Sequence, residues 1–171
     1  MEQTGKLIDA TTARFERLLP GPVERVWDYL TSDAYLKTWL AHGDIPQRAG
    51  EKFALSKESG ETMMWGEVLR CEPPRLLSYT WLVTMPDGST SPDSIVTFEL
   101  APQGDQALLT LTHSRLQLPE YRARTLGGWH ALLDVLTARI SGRDPEPFPQ
   151  IFARVNPGYD RHVADFDRND G

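Results

Sequence analysis

The sequence predicts one α+β domain in which a six-stranded antiparallel sheet curves around a long helix near residues 119–141. Three observations predict it. Apolar residues recur at a period of two between about residues 52 and 113, the breaks in that pattern carry turn residues rather than helices, and one later stretch switches to a sustained helical period. Strands in series without intervening helices pair as antiparallel hairpins. A sheet with one apolar face must cover it, and only 119–141 is long enough to do so.

Residues 1–10 have no apolar run and read as a flexible N-terminus. An opening strand follows at 13–19, with Ala13, Phe15 and Arg17 on one face, and it ends at Pro20–Gly21. In PVERVWDYL, Pro22 suits a first helical turn, and Val23, Val26, Trp27 and Leu30 fall at i, i+3, i+4 and i+7. Thr31–Ser32–Asp33 caps a second short helix through about Leu40, bringing in Tyr35, Leu36 and Trp39.

Five strands are then expected at Lys52–Lys57, Thr62–Glu72, Leu76–Thr84, Ser94–Ala101 and Ala107–His113. Ser59–Gly60, Pro73–Pro74, Pro86–Asp87–Gly88 and Pro102–Gln103–Gly104–Asp105 supply the turns. Leu77, Tyr79, Trp81 and Val83 share one face, as do Leu109, Leu111 and His113, whereas 62–72 is mixed and leaves the facing of Trp65 open. Pro119 opens the long helix, Leu126, Trp129, Leu132, Leu133, Leu136 and Ile140 form its stripe, and Gly142 stops it. Gly127–Gly128 inside it costs about 1 kcal/mol per residue relative to alanine, which marks a kink or the close approach of a backbone or ligand. The domain spans 11–142. Residues 143–171 read as a proline-containing extension: PEPFPQ extended, a helical turn at Ile151–Val155, and a disordered end at DFDRNDG.

Bulk properties exclude several functions. A net charge of −6 without clustered basic residues argues against nucleic acid and anionic membrane surfaces as partners. No stretch approaches the ~18 apolar residues of a membrane span. One cysteine, Cys71, allows neither an internal disulfide nor a multi-cysteine metal site, and a cytoplasmic location is expected. His42, His113, His130 and His162 lack ligand spacing, so neither a metal nor a cofactor is expected. No nucleophile elbow or phosphate loop is present, and no catalytic residue is assigned.

A pocket between sheet and helix would be lined by inward strand residues and the inner helix face. Tyr79, Trp81, Phe98, Leu111, His113, Trp129 and Leu133 are the candidates, with Trp39 and Leu40 near the mouth. His113 reads first as a structural hydrogen-bonding group, and second as a general acid or base. His130 and Asp134, at i and i+4 but off the apolar stripe, read as a surface pair.

Several segments carry a family resemblance: GPVERVWDYLTS, YLKTWLA, GEVLRCEPPRLLSYTW at 66–81, LTLTHSRL at 109–116 and GGWHALLDVL at 127–136. Together they resemble the START-like superfamily (the SRPBCC or Bet v 1-like helix-grip fold), in the branch named after homologues of the heat-shock-protein-90 ATPase activator. The resemblance covers about residues 11–141. It implies the helix-grip architecture with two short helices after the first strand, and a cavity for hydrophobic ligands where strands meet the long helix. It brings no uniform catalytic motif. The co-chaperones of that branch carry a further N-terminal domain, whereas this chain starts directly with the helix-grip domain, so chaperone activation is not carried over. The leading expectation is a module that binds a small apolar molecule. The alternatives are an enzyme of the cyclase, dehydratase or hydrolase type using His113 or Tyr79, and a chaperone-interacting protein or a homodimer packing through PEPFPQIFARV.

Overall fold

The computed structural model describes residues 4–170. In chain order its elements are β1 (Lys6–Asp9), β2 (Thr12–Pro20), α1 (Val23–Thr31), α2 (Asp33–Leu36), β3 (Lys52–Ser56), β4 (Thr62–Glu72) and β5 (Leu76–Trp81). Then follow β6 (Ser94–Gln103), β7 (Gln106–Ser114), a 3-10 turn at Pro119–Tyr121, α3 (Arg122–Ile140) and α4 (Phe148–Asp170). All neighbouring strands pair antiparallel in the order β1-β2-β7-β6-β5-β4-β3.

The sheet therefore has seven strands, not six. The extra one is β1, which lies in the stretch expected to be flexible; residues 1–3 of that stretch lie outside the described residues. Four residues with one buried side chain, Leu7, are too few to establish a period. Long-range contacts hold it instead. It pairs with β2, and its segment donates Gly5 N–H to Tyr159 Oη (2.9 Å) and Leu7 N–H to His162 Nε2 (3.0 Å).

Both of those acceptors lie on α4, which is the second correction. Residues 148–170 form one helix where the sequence suggests an extended run, a single turn and a disordered end; Gly171 lies outside the described residues. Its inward face carries buried Ile151 and Tyr159 and half-buried Phe152, Val155, Val163 and Phe166, with Ile151, Val155, Tyr159 and Val163 spaced by four. Pro157 interrupts that reading. Proline lacks the N–H that the Ala153 carbonyl would accept, but Ala153 is exposed and water can serve it.

With α4 on one side and the sheet on the other, α3 is buried nearly all round: Leu126, Trp129 and Leu133 on the stripe, but also Gly127, His130 and Ala131. Gly127 is the close approach. A Cβ there would stand 2.6 Å from Asn156 Oδ1 and 3.2 Å from the Phe152 ring. At Gly128 nothing lies within 4 Å. In β4 the buried residues are Met64, Gly66 and Val68, which leaves Trp65 half-buried on the other face. Gly66 brings β4 against β5: a Cβ would sit 1.9 Å from the Thr80 carbonyl oxygen. α2 stops at Leu36, four residues earlier than expected, and Tyr35 stays 43% exposed beside Tyr29. Among the described residues no helix is long and apolar enough to cross a membrane.

Candidate functional site

Alternation on β5, β6 and β7 aims aromatic residues at α3, and their rings meet one another beneath it. Phe53 meets Tyr79 edge-on at 5.1 Å between centroids, Tyr79 meets Phe98 at 6.2 Å, and Phe98 meets both Trp39 (6.5 Å) and Trp129 (6.1 Å). Trp129 then meets Trp81 at 5.2 Å. Leu111 and Leu133 are 1% exposed in the same layer. The Tyr79 hydroxyl is fully buried with no hydrogen-bond partner among the described residues, and burial pushes its pKa upward.

Where this layer ends, a polar chain closes it. Trp129 Nε1–H donates to His113 Nδ1 at 2.9 Å, and His113 Nε2 meets Ser94 Oγ at 2.7 Å. An indole N–H can only donate, so Nδ1 carries no proton and the neutral imidazole holds its proton on Nε2. That proton goes to Ser94, whose hydroxyl donates onward to the Trp81 carbonyl at 3.2 Å. Every hydrogen in the chain is used. Burial drops the His113 pKa to about 3, so the ring is neutral at ordinary pH. A Ser–His pair built for nucleophilic attack needs the reverse arrangement, with the serine donating to Nε2 and a carboxylate accepting from Nδ1.

The open space lies just beyond this chain. A cleft of about 430 Å³ has Trp81, Ser94 and His113 on its floor. The β5–β6 loop supplies one wall through Val83, Met85, Pro86 and Pro92. Leu116 and Leu118, from the connection into α3, and Tyr121, Arg124 and Thr125 supply the other. Arg115 and Arg122 complete the rim. Of the nine residues expected at a pocket, Trp81 and His113 line this cleft. Trp39, Tyr79, Phe98, Leu111, Trp129 and Leu133 are buried core side chains, and Leu40 is a half-buried one packed against them. Most cleft residues sit in loops without a period, and the proline-rich stretch 85–92 after a strand ending in Trp81 was the available signal.

The rim arginines differ. Arg122 is buried and committed: it donates to both Asp167 carboxylate oxygens (2.8 and 3.0 Å), to the Pro119 carbonyl (3.1 Å) and to the Ala10 carbonyl (3.4 Å). Arg115 is exposed, stands 3.8 Å from Asp93, and adopts φ 60°, which is left-handed and uncommon for a residue other than glycine. Arg124 is exposed and has no partner among the described residues.

A second polar cluster sits on the α4 side of α3. Buried Arg17 donates to Asp134 Oδ1 at 2.7 Å, His130 Nε2 lies 3.5 Å from Asp134 Oδ2, and His130 Nδ1 meets Tyr159 Oη at 2.7 Å. His130 is thus buried and Asp134 half-buried, because α4 packs on the helix face that the sequence assigns to solvent. Desolvation pulls the Asp134 pKa upward, but the hydrogen bonds and charge of His130 and Arg17 outweigh it and the net shift is downward. Burial, opposed by the Gly5 N–H, pushes the Tyr159 pKa up to about 12. Among the described residues no group of three or more His, Cys, Asp or Glu side chains could hold a metal ion.

A family model described as activator of Hsp90 ATPase homolog 1-like protein matches residues 20–141. The solution structure of the protein encoded by gene BPP1335 from Bordetella parapertussis is 35% identical, covers 93% of this chain and 90% of that one, and superposes with a TM-score of 0.75. The crystal structure of CalU16 from Micromonospora echinospora is 28% identical over 94% of each chain, with a TM-score of 0.73. Protein MLL2253 from Mesorhizobium loti is 29% identical over 77% of this chain and 96% of that one, at 0.66. No curated protein matches.

Proposed function

The chain belongs to the activator of Hsp90 ATPase homolog 1-like family, within the START-like (SRPBCC) superfamily, and on that premise we propose that it binds a small, mostly apolar molecule in the cleft above Trp81 and His113. The observation that carries the proposal is the cleft itself. Its 430 Å³ falls within the ordinary range of ligand sites, its walls mix aliphatic and proline side chains with the polar Thr84, Ser91, Gln117 and Thr125, and its floor is locked by the Trp129–His113–Ser94 chain. A rigid floor costs little to order on binding.

This reading places the ligand at the open end of the sheet, beyond the aromatic rings that meet beneath the long helix. A catalytic reading draws no support from His113 or Tyr79. The first has both ring nitrogens occupied with the proton on the wrong one for a base, and the second lies in the core away from the cleft. The segment offered as a dimer arm packs within its own chain from Ile151 onward.

The test is a titration with Nile red, a neutral apolar dye, read by its emission and by quenching of tryptophan. Saturable one-to-one binding is expected, lost in Thr125→Trp, which fills the cleft from the helix side while keeping the melting temperature. Unaltered binding in that variant sinks the proposal.

A further inference from the structure

The sorting of charge around the cleft carries one step further. The chain has a net charge of −6, yet the described cleft lining holds Arg115, Arg122 and Arg124 and no carboxylate. Asp167 occupies Arg122 with two hydrogen bonds, so that residue is structural and its charge is met. That leaves two arginines beside a cleft whose lining mixes apolar and polar side chains. Arg124 has no partner among the described residues, and Arg115 has only Asp93, beyond hydrogen-bond distance at 3.8 Å. The left-handed backbone at Arg115 is a conformation that glycine would adopt more readily, and strain of this kind persists where a side chain is held for a purpose. Arg124 lies in the first turn of α3, where the positive end of the helix adds to the field of both guanidinium groups. Asp93 offsets part of the Arg115 charge and Asp167 that of Arg122, so Arg124 leaves an excess of positive charge at the rim, which favours a ligand of the opposite sign.

Resting on the reading of the cleft as a binding site, we infer that its ligand is an apolar carboxylic acid, bound with its carboxylate on Arg115 and Arg124 and its apolar body against Met85, Pro92, Leu116 and Leu118. A guanidinium fork matches a carboxylate in shape as well as charge. The apolar body then lies over Trp81, with the satisfied His113 beneath it offering no competing donor.

The experiment compares decanoate with decanol, which share a chain and differ in the head group, by calorimetric titration of the full chain at low and at moderate salt. Decanoate is expected to bind several-fold more tightly than decanol at low salt, because each exposed ion pair is worth up to about 1 kcal/mol and tenfold is about 1.4 kcal/mol. The preference should shrink in Arg124→Gln and in Arg115→Gly and vanish in the double variant. Arg115→Gly should also keep or raise the melting temperature, since glycine suits that backbone, which separates loss of binding from loss of fold. Equal affinities in the wild type, or a preference that survives the double variant, overturn the carboxylate assignment alone. If neither compound binds, or if Thr125→Trp leaves both bound, the cleft reading falls as well.

Discussion

At its first turn α3 carries Arg124, exposed and without a partner among the described residues, while three turns later it carries Asp134, held by Arg17 at 2.7 Å and His130 at 3.5 Å. The two residues look alike on a helical wheel, as charged positions off the apolar stripe. They differ in what the rest of the chain puts over them. α4 seals the Asp134 side, and Tyr159 extends the cluster there to the N–H of Gly5, tying β1, β2, α3 and α4 together. At the other end α4 holds Arg122 through Asp167, while Arg124 borders a cleft walled by loops. A charge that the fold has already paired holds elements together; a charge left beside a cleft remains for a ligand.

The sharpest way to break this contrast is to remove Asp134. Asp134→Ala takes one carboxylate from the Arg17 guanidinium, which is 2% exposed, and from His130, and loss of hydrogen bonds to charged groups costs about 2–3 kcal/mol. For a chain of this size the melting temperature should fall by several degrees. Binding in the cleft should persist below the new transition. Because the folded pKa of Asp134 lies below its ordinary 3.8, the stability it contributes is present above that value and is lost as pH falls through the folded pKa. The variant should lack that portion of the acid sensitivity. A thermal loss smaller than about 1 kcal/mol would make Asp134 as dispensable as a surface charge.

The chain from Trp129 through His113 to Ser94 is sealed too, although it borders the cleft. Trp129→Phe keeps most of the ring and deletes the donor, leaving Nδ1 an unmet buried acceptor at a cost of about 1–3 kcal/mol. His113 titrates at about 3 when folded and at about 6.5 when unfolded. Between those values the unfolded chain binds a proton that the folded chain refuses. Stability from this group is therefore complete above about pH 6.5 and declines as pH falls toward 3, by at most about 1.4 kcal/mol per unit. Urea unfolding across that range, with an NMR titration of His113, checks both statements. A wild-type ring that titrates near 6.5 contradicts the geometry. In Trp129→Phe, Nδ1 is free to take a proton, so the folded pKa should rise and the decline should shrink.

How far the sequence carried this picture depended on how each element is stabilised. The strand at 62–72 was legible in its bounds, because turn residues at Ser59–Gly60 and Pro73–Pro74 flank it, but its mixed pattern left the face of Trp65 open. β1 was not legible, since its four residues are fixed by partners on β2 and α4 rather than by their own pattern. In α4 the spacing of Ile151, Val155, Tyr159 and Val163 is helical, but Pro149, Pro157 and Gly158 mask it, and tertiary packing overrides their poor propensity. Missing α4 then misplaced His130 and Asp134 on the surface. Trp81 and His113 were found because they fall on the inward faces of alternating strands, whereas Met85, Pro92, Leu116 and Leu118 converge from loops whose paths no period records.

The neighbouring glycines of α3 sharpen the same contrast within one turn. Gly127 faces α4, so Gly127→Ala must move Asn156 and Phe152, and after the gain in helix propensity it should still cost about 1 kcal/mol. Gly128 faces open space, so Gly128→Ala should gain up to about 1 kcal/mol. Chemical denaturation of the two variants in parallel reads the difference, and equal signs would mean that α4 does not press on α3 at this point.

The smallest effect on stability is expected at the residue that began the comparison. Arg124→Ala removes an exposed side chain with no hydrogen bond or ion pair among the described residues, and substitutions of that kind change stability by no more than about 0.5 kcal/mol. If the variant instead unfolds as readily as Asp134→Ala, Arg124 is holding the fold together and the distinction between the two ends of α3 collapses. With stability unchanged, the effect should appear only against a charged ligand, and should fade as salt screens the exposed guanidinium. A residue that matters for binding and not for folding behaves in this way: its free energy is held back from the folded state.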